Sequence, residues 1–367
     1  MKNFNKYIDV IENTGDFLDS LKKGNDFEYL PCTKGLTIYG KTLNLGFSTY
    51  ALKIEYMLNR SDFRNKKHLD NWAKYINSYQ KTVDSFPANS FIDDVMLRSY
   101  KNKNVRGYIE DGVKIFLNNF SNKTYDSNKQ KLSKAINAET KQAISTLQQI
   151  GHKSIKPYPT ELSSQDVLNK LNSLDWSNPW NAGAQYSSYC VYSKTLDKDF
   201  STTLIQFING LVDKETGSYF NKNPNNNREI INGAMKVISG LDWLDEKIHY
   251  PDKLIDFCLQ NNPIEEGCDI VDFVYVLFKC SQQSNHKRNE VNNLMLEILK
   301  VLEKLYKPVE KGFSYFNNKS QTHYYGVKIS EGKDYADIHG TVLCLWAIIM
   351  ILKNNQLIDD QYKLIKP

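Results

Sequence analysis

Two short stretches of the chain crowd ionisable side chains against apolar runs. "EEGCDIVDF" sets Glu265, Glu266, Cys268, Asp269 and Asp272 immediately before "VYVLF". "KDYADIHGTVLCLWAI" sets Asp334, Asp337 and His339 at the start of a longer run. Paired carboxylates can divide acid and base work, one holding a proton while the other takes one. Asp269 or Asp272 facing Asp334 or Asp337 would make such a pair. Cys268 with Asp272, and Glu265 with Asp269, stand one helical turn apart and share a face. One capping group suffices for a helix, so these stretches hold more acids than capping needs.

Helices must position these groups. In "LGFSTYALKIEYML" (45–58) Phe47, Ala51, Ile54 and Leu58 recur at helical spacing, as do Leu69, Trp72, Ile76 and Tyr79 in "LDNWAKYINSYQ" (69–80). Further helices are expected at 134–149, 164–174, 180–195, 199–212, 227–240, 251–260, 267–281, 289–306 and 336–353. With the N-terminal segment that makes about twelve. Some are amphipathic and charged on one side, such as "RNEVNNLMLEILKVLEKL". Others are apolar around most of their circumference and open with polar residues, such as "CDIVDFVYVLFKC" and "HGTVLCLWAIIMIL". A helix of the second kind must be surrounded by protein, so alternation of the two implies an inner and an outer layer.

Inner-helix N-termini carry unpaired N–H groups and partial positive charge, so the polar residues there are the site candidates. They are Asn44, Glu139, Thr140, Asn178, Trp180, Asn181, Gln185, Asn226, Asn227, Arg228 and Asn232, with the acids, Cys268 and His339 named above. Each also has a capping reading: Asp334 or Asp337 for the last helix, and Asn178 for a helix starting at Pro179. Trp180, Tyr324 and Tyr325 can stack on sugar rings or simply pack in a core.

The whole chain sets bounds. Its 367 residues are 41% hydrophobic and 24% charged, an ordered globular composition. The net charge of +5 is mild and the lysines alternate with acids, so no nucleic-acid footprint is read. The longest apolar run, 342–352, is too short to span a bilayer. The start is amphipathic rather than a secretory signal, and the six cysteines lack disulfide-framework spacing. A soluble cytoplasmic protein is the expectation.

The connections repeat. "FINGLVDKETGSYF" (207–220) and "LEKLYKPVEKGFSYF" (302–316) both end a charged helix in a Gly-aromatic turn, and "YINSYQKTVDSFP" (75–87) is a looser copy. This pattern, over roughly residues 35–355, resembles the terpenoid cyclase and protein prenyltransferase β-subunit superfamily. The resemblance implies an all-α (α/α)6 toroid in one domain spanning 1–367, with 83–132 an excursion capping a central cavity. It also implies a zinc shell: Glu266-Gly267-Cys268 looks like the family's Asp-x-Cys pair, and His339 stands where its His would. Gln260 and Pro263 replace the family's Arg and Lys, so a prenyl diphosphate site is not carried over. "DYAD" (334–337) resembles the cyclase Asp-x-Asp-Asp motif with Ala336 in the catalytic place, leaving Asp337 as acid and His339 to tune it or bind metal.

Three functions follow as expectations. The first is a cyclase- or transferase-like enzyme acting on an isoprenoid. The second is a carbohydrate-active enzyme using paired carboxylates, with Trp180, Asn181, Gln185, Asn227, Arg228 and Tyr325 holding a saccharide. The third is a non-catalytic scaffold.

Overall fold

The computed structural model describes residues 4–60, 63, 65–101, 127–158, 162–196, 199–222, 224 and 226–367. Among these the chain forms fourteen helices and three two-stranded antiparallel ribbons. The helices of the first half are α1 (Asn5–Ser20), α2 (Ile38–Thr42), α3 (Leu45–Leu58), α4 (Lys66–Asn77), α5 (Asp94–Lys101), α6 (Asn128–Gln149) and α7 (Ser164–Asn172). Those of the second are α8 (Pro179–Thr195), α9 (Ser201–Asn209), α10 (Asn227–Leu244), α11 (Pro251–Gln260), α12 (Gly267–Ser281), α13 (Arg288–Leu305) and α14 (Ile338–Asn354). The all-α expectation holds. Every helix read from periodicity is present; α2 and α5 are additional.

Apolar helices take the interior positions. α14 buries nearly its whole sequence, from Ile338 to Leu352, and packs on α12, α3, α13 and α1. Contacts join α3 to α6, α6 to α8, α8 to α10, α10 to α12, α12 to α14 and α14 to α3. The closest of these seams is α8 on α10. There Pro179 lies where a Cβ on Gly233 would stand, and the hydroxyls of Ser187 and Ser239 meet at 2.9 Å. The charged helices sit against this set: α1 and α4 touch α3, α7 and α9 touch α8, α11 touches α12, and α13 touches α12 and α14.

The Gly-aromatic turns share one structure. Ribbon β1–β2 (Gln80–Lys81, Ser90–Phe91) and ribbon β3–β4 (Tyr306–Lys307, Gly312–Phe313) each follow a charged helix, and a single bridge, Val212 with Tyr219, does the same after α9. Lys22 with Tyr29 is a fourth copy after α1, in "KGNDFEYL". The glycine does not play one role in all of them. Gly217 has a φ of +77°, as a tight turn requires, whereas at 311–312 the positive φ falls on Lys311. Gly312 is small because the Phe17 ring lies 2.6 Å from where its Cβ would be.

Ribbon β5–β6 (His323–Tyr324, Val327–Lys328) turns through Tyr325 and Gly326, both with positive φ. At the opposite ends of the inner helices the chain's last residues act as a tie. The amide of Lys363 bonds the carbonyl of Met57, the Gln149 side chain bonds Leu364, and Trp243 Nε1 donates to the carbonyl of Pro367. The C-terminal ends of α3, α6 and α10 are thereby held by one strap. Of the expected excursion over 83–132, residues 102–126 lie outside the described residues. No described helix is long and apolar enough to cross a membrane.

Candidate functional site

Asp337 is the N-cap of α14, and capping engages all of it. One oxygen accepts from the Gly340 amide at 2.8 Å; the other accepts from the amides of Tyr315 (2.8 Å) and Gln321 (3.0 Å). Burial raises its pKa to about 6 against the pull of these donors. Its carboxylate therefore ties the segment after β4 and the segment before β5 to the mouth of α14. Asp334, three residues earlier, lies at the surface in an ion pair with Lys307. Asn178 does not cap α8; its side-chain oxygen accepts from Asn181 instead, although the helix does begin at Pro179.

His339 faces inward. Its ring stacks on Tyr50 at 4.7 Å and 8°, with Tyr315 at 4.9 Å and 34°. Burial, with the nearby positive charges of Lys53 and Lys236, pushes its pKa down to about 3. The ring is neutral at physiological pH, and its Nδ1 is buried without a partner. Tyr315 also donates to Cys268 Sγ at 3.1 Å, and burial pushes that thiol up to about 11.

Asp269 and Asp272 open α12 on its buried side. Asp269 accepts from Arg228 Nε (2.7 Å) and from Asn232. One oxygen of Asp272 meets Lys236 Nζ at 3.3 Å; the other has no partner. Burial first, and Asp269 as a lesser cause, raise Asp272 to about 6 despite Lys236. Asn227 and Arg228 line a pocket of about 260 Å3 with Asn232, Asp269 and residues 260–264. Trp180 and Gln185 are half-buried, and the backbone amide of Trp180 bonds Glu229.

The group that stands out was legible only as a helix opener. Glu139 is 1% exposed, and neither of its oxygens has a hydrogen-bond partner. It lies in the middle of α6 rather than at its start, because Ser127 and Gln130 form a capping box that begins the helix at Asn128. Burial, and secondarily the Asp93 charge, hold its carboxyl well above the usual range, against a smaller pull from the Tyr324 hydroxyl and the Asp93 backbone. The buried Tyr324 hydroxyl stands beside it, close enough for each to shift the other's pKa but outside full hydrogen-bonding geometry. Gly46 makes room for that phenol: a Cβ there would lie 2.2 Å from its oxygen.

Tyr325 completes the wall. Its φ of +43° is costly for a bulky residue, and the Tyr100 hydroxyl pins its carbonyl at 2.6 Å. The ring keeps 36% of its surface, yet burial raises its phenol. Cys268, His339 and Lys141 show the same pairing of partial exposure with burial-shifted pKa. Side chains that touch open space while closely surrounded by protein line a recess. Its partly open residues are Lys141 on α6, Lys236 on α10, Cys268 on α12, His339 on α14 and Tyr325 in the β5–β6 turn, with Tyr50, Lys53, Glu139 and Asp272 buried among the same helices.

The expected zinc set does not gather. Glu266 turns its carboxylate to the Asn317 amide at 3.0 Å, and among the described residues no three His, Cys, Asp or Glu side chains converge as a metal-holding group. No protein-family model, no curated protein and no solved structure gives a significant match to this chain.

Proposed function

We propose that the chain is an (α/α)6 toroid that cleaves a glycosidic linkage by acid–base chemistry in the recess. The cycle of contacts from α3 through α6, α8, α10, α12 and α14 back to α3 supports the closed ring. So do six charged helices (α1, α4, α7, α9, α11 and α13) alternating with these along the chain. The observation that carries the chemistry is Glu139, a buried carboxyl with both oxygens unpaired and its pKa raised by burial. An unpaired buried polar group costs about 1–3 kcal/mol, a cost a hydroxylated ligand would remove.

In this reading Glu139 gives its proton to the glycosidic oxygen as the carbon–oxygen bond breaks. Asp272, ionised at neutral pH with Lys236 beside it, takes the proton of the attacking water. Tyr315 and Tyr325, the partly exposed rings, offer faces for sugar stacking. Asp269 orients the mouth through Arg228 and Asn232, and Asp337 holds the scaffold. A cytoplasmic location accords with six free cysteines. The test is reducing-end release from an oligosaccharide panel. Glu139→Gln and Asp272→Asn should each lower turnover about 10²- to 10⁴-fold, and undiminished turnover in Glu139→Gln would overturn the assignment.

A second reading has its own support, in Tyr50, Tyr315, Tyr324 and Tyr325 and the buried acid they surround. Walls of that kind suit a carbocation, and Glu139 would then protonate an isoprenoid alkene in cyclase fashion. Polyene substrates assayed beside the saccharides decide between them, and saturable binding without turnover of either would favour a scaffold.

A further inference from the structure

Three inner helices place a lysine at the recess. Lys53 (α3) is 8% exposed, Lys141 (α6) is half-buried, and Lys236 (α10) keeps 23% of its side-chain surface. Their placement follows from the faces already fixed. Gly46, Tyr50 and Lys53 fall at one-turn intervals on α3, and the first two touch Tyr324 and His339. Gln142 bonds Thr49 and so holds α6 against α3 one residue from Lys141. Lys236 reaches Asp272 across to α12.

Only Lys236 has a counter-ion. Neither Lys53 nor Lys141 has a hydrogen-bond or ion-pair partner among the described residues. The groups facing Lys141 from its neighbours are Lys53 on α3, Lys236 on α10 and Cys190 on α8. None of these is an anion at neutral pH, since the Cys190 thiol is pushed up by burial. Burial and the two other lysines lower Lys141 to about 7, and burial lowers Lys53 to about 8. Beside the neutral His339 ring, the three lysines have one paired carboxylate, Asp272 on Lys236. Unpaired cations in a low-dielectric recess are expensive unless an anion joins them.

We propose that Lys53, Lys141 and Lys236 form a subsite for an oxyanion, carboxylate or phosphate, carried by the substrate. This rests on the recess being the reactive site, and it narrows the hydroxylated ligand to an acidic one, such as a uronic acid or a sugar phosphate. Asp272 takes the remaining valence of Lys236 and keeps the oxyanion on the Lys53–Lys141 side. The subsite lies beside Glu139 rather than on it, so charge recognition and proton donation fall to different residues.

Calorimetric titration of the intact protein with sodium glucuronate, with pyrophosphate and with glucose tests this. At least one anion should bind saturably and more tightly than glucose, and which one binds tells carboxylate from phosphate. Lys53→Met and Lys141→Met should each weaken that binding about tenfold or more. Both variants should fold at least as stably as the parent, because each removes an unpaired buried cation. Binding of both anions no tighter than glucose, or binding unchanged in both variants, overturns the subsite. Glu139→Gln separates the two proposals: anion binding retained with turnover lost supports both, and anion binding retained with turnover intact leaves the subsite standing and removes the acid.

Discussion

Replacing Gly46 by Ala should damage the site without touching any ionisable group. The added Cβ would lie 2.2 Å from the Tyr324 oxygen, 2.3 Å from Cζ and 2.7 Å from Cε1. The ring has nowhere to go. It is 1% exposed and packs against Phe47 at 5.4 Å, Tyr50 at 6.0 Å and Tyr325 at 4.6 Å. Overpacking of this kind costs about 1–3 kcal/mol, and contacts so short put this site near the upper end. Gly46 is the second residue of α3, so alanine recovers at most the roughly 0.5–1 kcal/mol it gives over glycine in mid-helix. The net loss should be about 2 kcal/mol, read as a lower urea midpoint. Tyr324→Leu removes all three clashing atoms, so in that background the same Gly46→Ala change should stabilise by at most about 0.5–1 kcal/mol. The sign inverts, and the coupling between the two positions is about 2–3 kcal/mol. Equal effects in the two backgrounds would refute the packing that sets Tyr324 against Glu139.

Asp337→Asn should destabilise by roughly 3 kcal/mol, since an amide group would face the Tyr315 and Gln321 N–H donors, and exchange of those amides should quicken. Activity lost at unchanged stability would instead make Asp337 a chemical participant. Glu139 binds its proton more tightly folded than unfolded, so its contribution is intact below the unfolded carboxyl pKa and is lost as pH rises. The melting temperature of Glu139→Gln should therefore gain on the parent between pH 5 and 8, and parallel curves would contradict this. Lys141, lowered to about 7, destabilises the fold while charged and is relieved as pH climbs toward the unfolded lysine value. The advantage of Lys141→Met should accordingly be largest near pH 6 and shrink by pH 9, as followed by thermal unfolding.

Periodicity revealed the helices because it reports which face is buried, and α3, α11 and α12 end where their patterns end. The turn copy at 22–29 carries Gly24, but its "FEY" departs from the "SYF" that marks the other two glycine copies, and a glycine proves to serve different needs from copy to copy. Asp334 and Asp337 cannot be ranked by type or spacing. What separates them is the pair of amides at Tyr315 and Gln321, brought in from another part of the chain. Glu139 was visible as a candidate, but the "SNKQ" capping box that places it in mid-helix was the signal needed to read it correctly. The lysines were the larger gap. Scattered through the chain they look solvated, yet Lys53 and Lys236 interrupt helices apolar nearly all round, and a cation in such a helix faces either a partner or a cavity.

The contact between α14 and α3 also has a consequence for synthesis. α14 is made close to 300 residues after α3, together with the strap that ties Met57, Gln149 and Trp243. Until then the apolar flanks of α3 and α12 that α14 will cover stay open, so the growing chain carries adhesive surface over that interval. Pairing segments so distant in sequence costs chain entropy before the contact repays it, so the α14–α3 contact should slow folding.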